Sequence, residues 1–266
     1  MRRTLVTVDP ASLPECYRSL LDAPVYDSSC SPMARVLFIE KDGGFYLKSA
    51  AAGSLAKEAA MTRFYHSRRI GDVPLAAEVL DYRTEGDRDW LLTVRMPGED
   101  CTHREILSDP AALSAMMGET LRALHSLSTE GCPVPCRTKE YLAAVEEGYR
   151  SEKFAESYYS GDYGAITAEE AYALVRENAS RLKTNVLLHG DYCLPNIMQC
   201  GGRFSGFIDV DHGGVGESHI DLYWGAWSLK FNLKTDAWRT RFLDAYGRDA
   251  VEEDLLRVIA AAETFG

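Results

Sequence analysis

The chain has 266 residues, 46% hydrophobic and 26% charged, the balance of a folded globular protein long enough to bury a substantial core in one domain or two lobes. A formal net charge of −11 and a pI near 5.1 argue against a nucleic-acid partner, whose phosphates are held by clustered Lys and Arg. No apolar run reaches the roughly eighteen residues of a membrane span, and the opening MRRTLVTVDP lacks the apolar stretch of a signal peptide. The expected location is the cytoplasm, where seven scattered cysteines stay reduced. Cys132 and Cys136 have no second pair of ligands to make a zinc site with them.

Before residue 28 little is signalled beyond a short helix around 14–21. Residues 33–48, MARVLFIEKDGGFYLK, form two strand-like runs about Asp42-Gly43-Gly44, a strong hairpin pattern. The helix formers of 54–66 follow, with Ser54 as the expected N-cap. Segments 75–82 and 90–96 read as two further strands joined by a polar turn over 83–89. Pro97-Gly98 then breaks the chain. Helical spacing dominates beyond it, over 110–127 with Asp109 as N-cap, then 139–147, 168–182, 220–229, 236–246 and 251–264. The expected architecture is α+β: a first lobe, 1–97, of antiparallel sheet with one main helix, and a mostly helical second lobe, 98–266.

One stretch interrupts the helices, and the rest of the chain is organised around it. Residues 187–211 read LLHGDYCLPNIMQCGGRFSGFIDVD. They offer Asp191, Asn196 five positions later and Asp209 thirteen beyond that. A strand over 197–199, a turn at Gly201-Gly202 and a return over 204–208 would carry Asp209 back beside Asn196. Each residue alone is ordinary turn chemistry. Together they offer what phosphoryl transfer needs, a carboxylate to receive the attacking hydroxyl's proton and oxygen ligands for Mg²⁺. On that reading Asp191 is the base and Asn196 and Asp209 are the metal ligands.

HGDYCLPNIM followed by GRFSGFIDVD resembles the aminoglycoside 3′-phosphotransferases, bacterial small-molecule kinases with a protein-kinase-like fold. The likeness is close over 188–209 and looser from about 28 to 266. It implies ATP as phosphoryl donor, with GTP as the other candidate, and a small cationic acceptor. It also implies that Lys48 of FYLK clamps the nucleotide phosphates with Glu58 of KEAA as its partner. By the same resemblance Ser29 and Ser31 lie in a glycine-poor nucleotide loop, and WLLTVRMPGED is a hinge offering adenine the carbonyl of Val94 and the amide of Met96. His189 and Asp221 would support the catalytic loop. His125 would pack rather than react.

The acceptor side is less regular. The family's acidic run before HGD corresponds here to a segment holding Glu156 and Asp162, diluted by Arg150 and Lys153. Tyr158, Tyr159 and Tyr163 in that segment could stack on sugar rings or simply pack. Near the end of the chain Glu263 and Phe265 match residues that close the drug site in relatives, although Gly266 moves the terminal carboxylate on by one. Two arginines of the family pattern are missing: Asp209 is followed by Val210 and then Asp211-His212, and the second is replaced near Trp227. The expected function is therefore ATP-dependent phosphorylation of a hydroxyl on an amino-sugar, an aminoglycoside first. A sibling kinase acting on choline, homoserine, a ketoamine or a thiosugar stays open, as does a pseudokinase. A metal hydrolase built on His189, Asp191, Asp209 and His212 lacks HExxH-type spacing.

Overall fold

The computed structural model describes residues 3–266, which divide into two compact units. One comprises Met1–Asp100 with Ile197–Asp211, the other Cys101–Asn196 with His212–Gly266. The expected boundary at 97 falls three residues before the first break, and the hairpin after Asn196 goes with the earlier unit.

In the first unit the strands are β1 (Thr4–Leu5), β2 (Val25–Asp27), β3 (Ala34–Ile39) and β4 (Phe45–Ala51). Helix α1 (Ala56–His66) follows, and then β5 (Arg69–Ile70), β6 (Val73–Pro74), β7 (Val79–Glu85), β8 (Arg88–Val94) and β9 (Glu99–Asp100). Six strands make an antiparallel sheet in the order β1-β2-β3-β4-β8-β7. Side chains alternate across such a sheet. Leu37, Ile39, Leu47, Trp90 and Leu92 therefore pack on one face with Val8, Leu13 and Tyr17 from the turns of the N-terminal segment. The residues between them turn to the other face, where Ala50 and Leu91 meet Leu55, just before α1, and Ala59 within it. Lys48, paired with Leu91 across β4 and β8, belongs to the α1 face by the same alternation.

Two local expectations are corrected here. Ser54 does not cap α1, because its hydroxyl donates to the carbonyl of Ala51. The amide of Leu55 instead donates to Asp89, a fully buried carboxylate that also accepts from Thr84 and Tyr82. The strand expected over 75–82 is shifted along the chain. The sheet strand is Val79–Glu85, and the turn shrinks to Gly86 and Asp87. Leu75 lies outside the sheet because its amide donates to Arg68 and its carbonyl accepts from Phe207.

The second unit opens with α2 (Arg104–Leu107), α3 (Pro110–His125), α4 (Arg137–Arg150), α5 (Ser157–Tyr163), α6 (Ala168–Asn178) and the short strand β10 (Val186–Leu188). Asp109 caps α3, accepting from the amide of Ala112 at 3.0 Å. Thr167 and Glu170 form a reciprocal capping box on α6. The chain then supplies the hairpin β11 (Ile197–Cys200) and β12 (Arg203–Phe207) to the first unit, where β11 also pairs with β9. It resumes the second unit with β13 (Gly214–Gly216), antiparallel to β10, and α7 (His219–Leu233), α8 (Arg239–Tyr246) and α9 (Glu253–Glu263). The chain end is packed, not frayed. Phe265 is 2% exposed, the amide of Ala155 donates to the carbonyl of Thr264, and a side chain at Gly148 would run into the backbone of Phe265. Among the described residues no helix is long and apolar enough to cross a membrane.

Candidate active site

In the second unit the loop after β10 is fixed almost wholly by hydrogen bonds to main-chain atoms. Asp221, in the first turn of α7 and fully buried, accepts from the amides of His189 and Gly190, each at 2.7 Å. His125, buried on α3, places its Nε2 3.2 Å from the same carboxylate and its Nδ1 2.9 Å from the Tyr246 hydroxyl. A buried carboxylate left without donors would cost several kcal/mol. Gly190 has φ of +84° and lies against the carbonyl of His212, so any side chain there would be both strained and obstructed. The amide of Asp191 donates to His189 Nδ1, Tyr192 donates to the carbonyl of Met117, and the amide of Leu194 donates to Ser228.

Within that frame Asp191 is half-buried, and Asn196 Nδ2 donates to its Oδ2 at 2.8 Å and to its main-chain carbonyl at 3.0 Å. One carboxylate oxygen is thus held by an amide, and the other can take a proton from a hydroxyl. Cys193 beside it stays a thiol, because burial first and the Asp191 carboxylate second push its pKa far up. Ser228 lies two turns after Asp221 on α7. That spacing of seven was the one signal in the sequence that both face this loop.

In the first unit Lys48 lies 2.8 Å from Glu58 Oε2 and 3.3 Å from Asp209 Oδ1. Burial works against the ammonium, and the two carboxylates more than offset it, so its pKa is raised and the charge kept. Burial pulls the Glu58 carboxyl upward while Lys48 opposes it. Asp209 has φ of +53°, a left-handed conformation tolerated by Asp but uncommon for residues other than glycine. Its side chain is 57% exposed. The pairing of Ile197 with Phe207 closes the open end of the hairpin; Asn196 immediately precedes that pair, and Asp209 follows it by two residues.

The hydroxyl of Ser29 accepts from the amide of Val36, and that of Ser31 from the amide of Met33, so both serve the loop between β2 and β3 itself. Val94 ends β8, its amide donating to the carbonyl of Glu78, and Met96 is 5% exposed. A depression of about 470 Å³ flanks this segment, walled by His66, Glu78, Arg95, Met96 and Cys200, and Lys48 is not among its walls.

The four acceptor candidates are differently placed. Glu156 is exposed and accepts from the amide of Ile166. Asp162 is held at 2.5 Å by Lys230, which also reaches Asp236 at 3.2 Å. Glu263 is buried, accepting from the Tyr141 hydroxyl at 2.8 Å and from Trp224 Nε1 at 3.1 Å. Burial chiefly, with the Asp191 charge adding to it, pushes its pKa up to about 7. Phe265 packs against Tyr149, Tyr172 and Phe154. Tyr141, Trp224 and Arg137, whose Nε donates to the carbonyl of His212 at 2.8 Å, carried no signal in the sequence, because only the fold brings them to these partners.

The fold and these two groups of residues define a kinase-like phosphotransferase. A crystal structure of a type VIII aminoglycoside-3′-phosphotransferase superposes with a TM-score of 0.70, at 19% identity over 99% of this chain and 94% of that one. An aminoglycoside phosphotransferase from Streptomyces rimosus, solved with ADP and streptomycin, gives 0.69 at 21% identity over 87% and 90%. The model of the APH family, the phosphotransferase enzyme family, matches residues 34–258. A probable aminoglycoside 3′-phosphotransferase of Lactococcus lactis is 41% identical over 94% of this chain and 93% of its own. An aminoglycoside 3′-phosphotransferase of Niallia circulans is 28% identical over 73% and 74%. The chain belongs to this phosphotransferase family, whose chemistry is transfer of phosphate to a hydroxyl.

Proposed function

We propose that the protein transfers the γ-phosphoryl group of ATP, or of GTP, to the 3′-hydroxyl of an aminoglycoside in the cytoplasm. The observation that carries the acceptor is the 41% identity, over nearly the whole of both chains, to a relative described as a probable aminoglycoside 3′-phosphotransferase. The unit containing Lys48 is then the nucleotide-binding lobe, and the unit containing Asp191 the catalytic and acceptor lobe. None of the seven cysteines forms a disulfide.

Asp191 receives the proton as the acceptor oxygen attacks the γ-phosphorus and the bond to the β–γ bridging oxygen breaks. Asn196 holds that carboxylate through Nδ2, which leaves its Oδ1 as a metal ligand. Asp209 is the second ligand. A carboxylate and an amide oxygen are the hard donors that suit Mg²⁺, which fills its remaining positions with water and phosphate. Bound there, the metal would neutralise charge on the phosphate oxygens. Lys48, directed by Glu58, binds the α- and β-phosphates. Val94 and Met96 present main-chain atoms to adenine, and Ser29 and Ser31 shape the loop that covers the phosphates. His189 and Asp221 hold the catalytic loop, while Glu156, Asp162, Glu263 and Phe265 belong to the acceptor side.

The test is ADP release coupled to an optical readout, with Mg²⁺ present or omitted, over a panel of aminoglycosides, choline, homoserine, ketoamines and thiosugars. Release should require Mg²⁺ and an aminoglycoside bearing a 3′-hydroxyl, and should vanish with its 3′-deoxy analogue. A higher kcat/KM for any other class would replace the acceptor. No release with any acceptor would remove the reading.

A further inference from the structure

One face of α7 carries aromatic side chains at positions three and four apart, Trp224, Trp227 and Phe231, which therefore lie in one row. The Trp227 and Phe231 rings stack at 5.0 Å and 8°, and Trp224 meets Trp227 edge-on at 5.4 Å. Tyr158 closes on both tryptophans at 5.7 and 5.8 Å. At the inner end, Trp224 Nε1 donates to the buried carboxyl of Glu263. At the outer end Phe231 is 55% exposed, and the ammonium of Lys234 sits 4.2 Å over its ring. The row thus runs from the buried Glu263 carboxyl to solvent, on the helix whose Ser228 accepts from the amide of Leu194 in the loop that carries Asp191. From Trp224 to Phe231 it covers about 10 Å along the helix.

Meanwhile one acidic group expected to receive amino groups is already spent, since Asp162 is bound to Lys230. We infer that the aromatic row is the acceptor's outer subsite, taking the apolar face of a second amino-sugar ring and its ammonium group in the place Lys234 now fills. This rests on the aminoglycoside reading above and adds to it what selects the acceptor. Sugar rings offer C–H faces that pack on aromatic walls, and binding pockets typically pair such walls with a few polar anchors, here Glu263. An ammonium over an indole or phenyl face gains a further attraction, which Lys234 already demonstrates on this row. An acyclic amino alcohol is too short to use it.

Steady-state kinetics of Trp227→Leu, Trp227→Phe and Phe231→Leu, with a multi-ring aminoglycoside and with ATP as varied substrates, test the inference. Trp227→Leu should raise the aminoglycoside KM by about tenfold, with the ATP KM unmoved and most of the loss restored in Trp227→Phe. Phe231→Leu, at an exposed position that folding does not need, should raise the same KM by roughly threefold. Unchanged aminoglycoside KM in Phe231→Leu and Trp227→Leu, with turnover intact, would overturn the subsite while leaving the kinase reading standing. Should Trp227→Leu fail to fold, the Phe231→Leu result decides. Should the native protein turn over no acceptor, the kinase reading fails, and tryptophan fluorescence titrated with the same aminoglycosides decides the subsite. Saturable quenching weakened in Phe231→Leu supports it, and no saturable change overturns it.

Discussion

Lys48 and Asp191 pose the same structural problem, a charged side chain that must point one way, and the two units solve it by opposite means. Lys48 is held by charge, between Glu58 at 2.8 Å and Asp209 at 3.3 Å, with Asp209 more than half exposed. Asp191 is held by hydrogen-bond geometry, through Asn196 and a loop whose amides are tied to buried Asp221. Ion pairs that face solvent rearrange when a stronger partner arrives. Hydrogen bonds from the main chain to a buried carboxylate do not. The Lys48 group is thus built to exchange partners, while Asp191 is already fixed in position.

Changes that break this contrast should rank by what each residue holds. Asp209→Ala should abolish Mg²⁺-dependent turnover, because the exchange loses its carboxylate, while thermal stability stays close to that of the native protein. A metal titration of the variant measures this, and full activity at saturating Mg²⁺ would take Asp209 out of the site. Asp191→Asn should lower kcat by about 10²- to 10⁴-fold with little change in the ATP KM. The Asn196 hydrogen bond has an oxygen acceptor in either residue, so the loop survives and only the proton acceptor is gone. An unaltered kcat would remove Asp191 from the mechanism.

Asp221→Ala attacks the frame rather than the reacting group. Two main-chain amides and His125 lose their common partner in the interior, at a cost of about 3–5 kcal/mol, to be read from urea denaturation. Asp221→Asn should cost less, since its one carbonyl oxygen can still accept one of the two amides. Equal stability of all three proteins would show that the loop is held by something other than Asp221.

The same contrast explains what the sequence reveals. Asp191, Asn196 and Asp209 are legible because a single loop and hairpin of local turn chemistry sets their spacing, and Asp109 is legible as a cap because its partner is three residues away. Where the partner is remote, the local reading fails. Ser54 reads as the cap of α1, but the carboxylate at that helix start is Asp89, thirty-four residues from Leu55, whose amide donates to it. Residues 75–78 look like sheet but leave it, because Leu75 is claimed by Arg68 and Phe207. Asp162 reads as an acidic group available to a cation until the fold delivers Lys230 to it. Glu263 and Phe265 read as residues at an acceptor site, and no local signal shows that the fold encloses Phe265 with Tyr149, Tyr172 and Phe154. Deleting residues 263–266 would consequently unfold part of the second unit rather than only widen an acceptor site.

Glu263 sharpens the comparison most finely, because it is a carboxyl in the same unit as Asp221 but held by two side-chain donors instead of main-chain amides. Burial outweighs the donated hydrogen bonds, and its pKa rises from the ordinary 4.5 to about 7. The folded protein therefore binds this proton more tightly than the unfolded chain between those values, so stability from this group is fully present below about pH 4.5 and is lost as pH rises through about 7. A shift of this size corresponds to about 3 kcal/mol across the window. Glu263→Gln keeps an oxygen for Tyr141 and Trp224 and removes the titration. Its stability relative to the native protein should accordingly grow between pH 5 and pH 8, by up to roughly 3 kcal/mol, in urea denaturation at matched ionic strength. Parallel pH profiles for the two proteins would mean that Glu263 stays ionised in the folded state, stabilised by Arg137 and its two donors.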